Sequence, residues 1–165
     1  MTTATIGPDR LLLLTGRRYR AAIGKAGINP AKMEGDDATP TGLLPLRRVL
    51  YRADRLPRPR ASVPVMPLAP HDGWCDDPDD TAYNKPVRLP YPARHEALWR
   101  PDAIYDVIGI LGWNDAPVAK RRGSAIFLHV ARPGYDSTEG CIALALPDLL
   151  DVLAAGLTGI EVSPR

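Results

Sequence analysis

Gly123-Ser124-Ala125-Ile126-Phe127-Leu128-His129, followed after a Pro133-Gly134 turn by Ser137-Thr138-Glu139-Gly140-Cys141-Ile142-Ala143-Leu144, is the stretch from which the rest of the chain is read. The composition of Ser124 to Ala131 predicts an apolar strand that delivers one imidazole, and the second run predicts a strand that delivers one thiol beside a glycine. Alternation of faces puts Ala125, Phe127, His129 and Ala131 on one side. His129 and Cys141 are twelve residues apart, and adjacent strands joined by a loop bring such positions together. A thiol beside an imidazole is the layout of a cysteine nucleophile with its base. Gly140 lets the backbone approach a substrate closely, and the N–H groups of Gly140 and Cys141 can donate to a developing oxyanion. Spacing alone also allows a blander reading, in which Cys141 is a small buried hydrophobe and His129 a satisfied polar group.

Working outward, Tyr105 to Leu111 is β-branched and nearly all apolar, which marks a buried central strand ended by Gly112-Trp113-Asn114-Asp115. Downstream, Pro147 suits the first turn of a helix whose apolar stripe is Leu146, Leu149, Leu150 and Leu153, with Gly156 as its C-cap and Ile160 to Val162 as a last short strand. At the other end, residues 1–9 are small and polar and are expected to be frayed. Arg10 to Thr15, Gly16-Arg17-Arg18 and Tyr19 to Ile23 read as strand, tight turn and strand. Lys32 to Gly42 has turn glycines and almost no apolar content, which predicts a surface loop, and Leu43 to Tyr51 resumes as a strand with Pro45 at an edge or bulge. Five prolines between Leu56 and Pro70 predict an extended segment. His71 to Asp80 packs five aspartates around Trp74 and Cys75 and reads as an acidic turn-rich loop without the ligand alternation of a calcium site. Arg94 to Trp99 reads as a short helix stopping before Pro101.

With 165 residues, 45% of them hydrophobic and 24% charged, the chain suits one globular domain spanning 1–165. Pro 18 and Gly 14 against a single Phe favour β structure with long loops over a helical bundle. A net charge of +2 is too mild for a nucleic-acid partner, and the six arginines between Arg47 and Arg60, without an aromatic platform, read as a solvated face. Two cysteines make neither a disulfide framework nor a zinc site, and Cys75 beside Trp74 and the aspartates is placed to keep its proton. No window has the length of an apolar transmembrane segment, and Leu11 to Leu14 is too short for a secretory core, which by itself predicts a cytoplasmic protein.

Taken together, the motifs resemble the L,D-transpeptidase catalytic domain (YkuD-like) family, whose signature is a strand-borne His, a gap, then Ser/Thr-His-Gly-Cys, an apolar residue and Asn or Arg. His129, Thr138, Gly140, Cys141 and Ile142 match it, and Ala38-Thr39-Pro40-Thr41-Gly42 looks like the family's Thr-Pro-x-Gly turn, so the similarity runs from about residue 10 to 162. Glu139 stands where the second His is expected and Ala143 where Asn or Arg is expected. With Gly73-Trp74-Cys75-Asp76 and Tyr83-Asn84, this looks like a smaller branch. The resemblance implies a mainly β fold, a β-sandwich or open barrel with one or two packed helices, and no metal or organic cofactor. It implies a cysteine acyltransferase that acts on the peptidoglycan stem peptide or a muropeptide in the cell envelope, with Cys141 as nucleophile, His129 as base and Gly140 at the oxyanion. Substrate contacts are then expected from Thr138, Glu139, Ser124, Tyr135, Trp113 and Asn114. The alternatives are a non-catalytic module that holds cell-wall peptides, and another kind of cysteine peptidase.

Overall fold

Short strands, some buried at alternate residues and some buried throughout, make most of this protein's regular structure, and such segments need partners to persist. The structure, a computed structural model, describes residues 2–165. The strands are β1 (Thr2–Ile6), β2 (Leu11–Leu14), β3 (Arg17–Ala22), β4 (Ile28–Asn29), β5 (Thr39–Pro40), β6 (Gly42–Tyr51) and β7 (Val65–Pro67). They continue with β8 (Asp72–Cys75), β9 (Pro86–Arg88), β10 (His95–Ala97), β11 (Val107–Leu111), β12 (Phe127–Val130) and β13 (Ile142–Leu144), then the helix α1 (Leu146–Ala154) and β14 (Leu157–Val162).

Nine strands form one sheet in the order β11-β12-β13-β3-β2-β1-β14-β6-β7. Its ends meet because β6 is ten residues long: Gly42 to Pro45 pair with β14, and Leu46 to Tyr51 pair with β11. The change of partner falls at Pro45, beside a register shift between Ile110 and Leu111, as a strand proline at a bulge requires. The result is the mainly β, barrel-like sheet that the resemblance implies, with a single nine-residue helix among the described residues. The face enclosed by the sheet carries Leu12, Leu14, Leu44, Leu128, Val130, Ile142 and Leu144, and α1 buries Leu149, Val152 and Leu153 against them. The opposite face of β11 and β12 presents Ile108, Ile110 and Phe127, and the small sheet β10-β8-β9 covers it with Trp74 packed edge-on to Phe127 at 5.2 Å.

Several expectations are corrected by pairing that single segments do not reveal. Thr2 to Ile6, expected to be frayed, is a parallel partner of β14 in which Ala4 and Ile6 are buried, so the alternation outweighs the small side chains; Met1 lies outside the described residues. Arg94 to Trp99 is not a helix, because His95 to Ala97 pair antiparallel with β8. Within the acidic stretch, Asp72 to Cys75 is the middle strand of the small sheet, and Trp74 and Cys75 are buried. The Lys32 to Gly42 segment is not confined to the surface, since Lys32, Ala38 and Thr39 are buried. Nor are the arginines a uniformly solvated face: Arg52 is buried, stacks on Trp99 at 3.6 Å and grips Asp54 with two nitrogens at 2.8 Å. Finally, β12 and β13 run parallel, with Leu128 opposite Ile142 and His129 opposite Ala143, so residues 131–141 form a crossover and not a hairpin turn.

Candidate active site

That parallel register sets the geometry of the thiol and the imidazole. Because His129 lies opposite Ala143, Cys141 lies level with Phe127, one strand over and two residues back, and side chains two residues apart share a face. Cys141 and His129 therefore meet the same cleft, of about 370 Å³, between the sheet face and the segments that cover it. The thiol donates to Ala125 O at 3.2 Å and accepts the Phe127 N–H at 3.4 Å. His129 Nδ1 lies 3.0 Å from Val130 O, and a carbonyl only accepts, so Nδ1 carries the proton and Nε2 is the basic nitrogen. The ring edge of Tyr105 packs against the imidazole with centroids 5.4 Å apart.

Burial decides the charge states. It pushes the Cys141 thiol up to about 12, with Glu96 adding to the rise and the Phe127 N–H and Lys32 opposing it. It pushes His129 down to about 4, helped by Arg132 and Arg100 and opposed by the bond to Val130 O. At neutral pH both groups are uncharged, a protonated thiol and a free imidazole lone pair. Glu96, also raised by burial, accepts a hydrogen bond from Tyr105 Oη in the same cleft. Cys75 is raised by burial and by Asp80 and Asp76, and its thiol faces Asp80 Oδ2 at 3.6 Å in the small sheet.

The turn before the thiol is held from both sides. Thr138 Oγ1 donates to Cys141 O at 2.6 Å and accepts the Gly140 N–H at 3.1 Å, so the Gly140 donor expected at the oxyanion is engaged within the loop. Thr39 Oγ1 donates to Gly140 O at 2.9 Å and accepts the Gly24 N–H at 2.9 Å. The Thr39-Pro40-Thr41-Gly42 turn thus reaches the loop that carries Cys141 through one buried hydroxyl. Thr39→Val keeps the shape and removes the hydroxyl, leaving Gly24 N–H and Gly140 O without it; the expected loss is about 1–3 kcal/mol of unfolding free energy, read from the urea midpoint.

Thr138, Glu139 and Ser124 line the cleft with Cys141 and His129. Ser124 Oγ donates to Glu34 Oε1 at 2.7 Å, and Glu139 is exposed at the rim. Trp113, Asn114 and Tyr135 do not line it. Trp113 Nε1 donates to Arg122 O at 2.9 Å, and Asn114 holds Ala119 and Gly123, so both brace the loop before Ser124. Tyr135 lies under the Arg20 guanidinium, 4.1 Å from its ring centroid. Cleft residues that the sequence did not single out include Lys32, Glu96, Arg100, Tyr105 and Arg132. Tyr105 had a signal, since it stands two residues before the apolar run of β11; the others come from loops and a short edge strand. Among the described residues no group of three or more His, Cys, Asp or Glu side chains could hold a metal ion, and no helix is long and apolar enough to cross a membrane.

A mainly β, barrel-like sheet that presents a thiol and an imidazole to one charged cleft defines the class of protein. Residues 8–162 match the model of the YkuD family, the L,D-transpeptidase catalytic domain, and the chain belongs to that family. Among solved structures, a variant of the helical cell shape determining protein Pgp2 from Campylobacter jejuni is 14% identical with a TM-score of 0.51, covering 99% of this chain and 47% of that one. L,D-transpeptidase 1 from Mycobacterium tuberculosis is 12% identical with a TM-score of 0.41, covering 98% of this chain and 60% of that one. The chain therefore spans roughly half the length of these proteins. No curated protein sequence matches it.

Proposed function

We propose that the protein is a cysteine acyltransferase acting on peptidoglycan stem peptides, an L,D-transpeptidase whose hydrolytic counterpart is L,D-carboxypeptidase cleavage. The observation that supports this most is the common cleft of Cys141 and His129, with Nδ1 of the imidazole tied to Val130 O so that Nε2 is the base. Nε2 takes the thiol proton as the sulfur attacks a peptide carbonyl, which avoids a free thiolate in a site that disfavours one. The Cys141 N–H, with Gly140 N–H turning from Thr138, donates to the oxyanion. The imidazolium returns its proton to the departing amine and a thioester remains. An amine then takes the acyl group as a cross-link, or water releases it. Arg100 and Arg132 supply positive charge for a substrate carboxylate, and Glu139 supplies negative charge at the rim for an acceptor ammonium.

A second reading, a non-catalytic peptide-binding module, draws on one observation: the thiol rests on Ala125 O instead of on the imidazole. Intact-mass measurement after incubation with a carbapenem and with a disaccharide tetrapeptide separates the two. The acyltransferase reading expects a stable adduct on the peptide that contains Cys141, together with release of D-alanine from the tetrapeptide. Binding of the tetrapeptide with neither adduct nor release would overturn it.

A further inference from the structure

The thiol's position depends on a backbone that does not hold itself. Ala125, whose carbonyl accepts the Cys141 S–H at 3.2 Å, has φ +52°, and Gly123 two residues earlier has φ +111°. A non-glycine residue persists in the left-handed region only where its surroundings over-determine it. Two adjacent side chains from the other end of the small sheet do so here. Tyr83 Oη accepts the Gly123 N–H at 3.0 Å and donates to Glu34 Oε1 at 2.6 Å. Asn84 Oδ1 accepts the Ala125 N–H at 3.0 Å and the Trp74 Nε1–H at 3.0 Å, while its Nδ2 donates to Trp113 O and Asn114 O at 2.9 Å each. The buried Asn84 amide therefore has both donors and both acceptor positions filled, and it is itself in the left-handed region at φ +56°. Neither Tyr83 nor Asn84 lines the cleft that holds Cys141.

We propose that the Tyr83-Asn84 dipeptide is a clasp that positions the Cys141 thiol, by locking Gly123 and Ala125 in left-handed conformations and so fixing the carbonyl against which the sulfur rests. The clasp makes the small sheet more than a cover: Trp74 from β8 packs on Phe127 and donates to Asn84, so the same layer sets both the packing and the backbone beneath the nucleophile. These are positioning residues, acting on the thiol through Ala125. The catalytic meaning of the clasp rests on the acyltransferase reading, in which Cys141 is the nucleophile, but the positioning itself is tested without acyl transfer.

The test is the rate of Cys141 alkylation by iodoacetamide across pH, with the adduct located by digestion and mass spectrometry and the urea transition of each variant as the reference for folding. Titratable groups facing the thiol are Glu96, Tyr105, His129, Lys32 and Glu139, and all are retained in the variants. Asn84→Ala frees the Ala125 carbonyl to turn away, so the protonated thiol loses its acceptor. The expected result is alkylation at least fivefold faster at pH 8, a profile that rises at lower pH, and carbapenem acylation at least tenfold slower. Tyr83→Phe is expected to move both rates in the same directions by about twofold, and it decides the matter alone if Asn84→Ala does not fold. A variant that is folded by circular dichroism and keeps the wild-type profile within experimental scatter overturns the clasp. So does a gain in Cys141 alkylation that tracks the unfolded fraction read from the urea transition, which reports general unfolding. If wild-type Cys141 takes no carbapenem while the alkylation profile still shifts, the acyltransferase reading fails and the clasp stands.

Discussion

Cys141→Ala is expected to abolish covalent acylation, and His129→Gln to slow it by about 10²–10⁴-fold while the protein stays folded. The geometry explains why both effects are large. Burial holds the thiol up to about 12, so the fraction of free thiolate at neutral pH is negligible and attack depends on a base that removes the proton as the bond forms. His129 can be that base because its Nδ1–H is committed to Val130 O. The pH dependence follows from the signs of the two shifts. A histidine lowered to about 4 keeps its lone pair at every pH above that value, so the acidic limb of acylation falls near pH 4, well below the ordinary imidazole value near ~6.5. A thiol raised to about 12 stays protonated on the alkaline side, so the thiolate-driven background reaction keeps climbing beyond pH 9. Acylation rates for wild type and His129→Gln from about pH 3 to about pH 10.5 test both limbs; a wild-type limb centred at pH ~6.5, or a variant as fast as wild type, would show that this histidine is not the base.

How much of this could be read in advance depended on whether a segment carries its own signal. β11, the β2-β3 hairpin and α1 were legible because their apolar spacing is complete within the segment. β1, β8 and β10 were not, because short polar strands such as Thr-Ala-Thr-Ile or His-Glu-Ala exist only through their partners β14 and β8. The candidate site divides in the same way. Cys141 and His129 stand out as the thiol and imidazole of two apolar runs, and their shared face follows from alternation even though the strands run parallel. Glu96, Lys32 and Arg132 come from segments far apart in the chain, and nothing local in any of them reports that the closed sheet brings them to one cleft. Asn84 is the sharpest case, since a buried asparagine with four hydrogen-bond partners has the same sequence signature as an exposed turn residue.

A large stability loss is expected from Gly140→Ala, where strain and clash coincide. An added Cβ would stand 2.8 Å from Ala38 O, a backbone atom that is itself buried, and 3.3 Å from Ile126 Cδ1. Gly140 also has φ +142°, where a side chain is strained whatever the space around it. Backbone strain of about 1–3 kcal/mol and overpacking of about 1–3 kcal/mol add to an expected loss of about 2–6 kcal/mol, read from urea midpoints at constant m-value. Two controls separate the contributions. Gly16→Ala, at φ +81° in the β2-β3 turn with nothing within 4 Å of the new methyl, carries only the backbone part. Gly24→Ala meets Asp37 O at 2.5 Å without a left-handed φ and so isolates the clash. Gly24 and Gly140 press on the same Asp37 to Thr39 segment, and Thr39 Oγ1 bonds to both, so the two substitutions force apart one junction. Their losses are therefore expected to sum to more than the double variant shows, because a segment already displaced by one methyl offers less resistance to the other. Strict additivity, or a Gly140→Ala loss no larger than that of Gly16→Ala, would mean that the Thr39 turn does not brace the loop that carries Cys141.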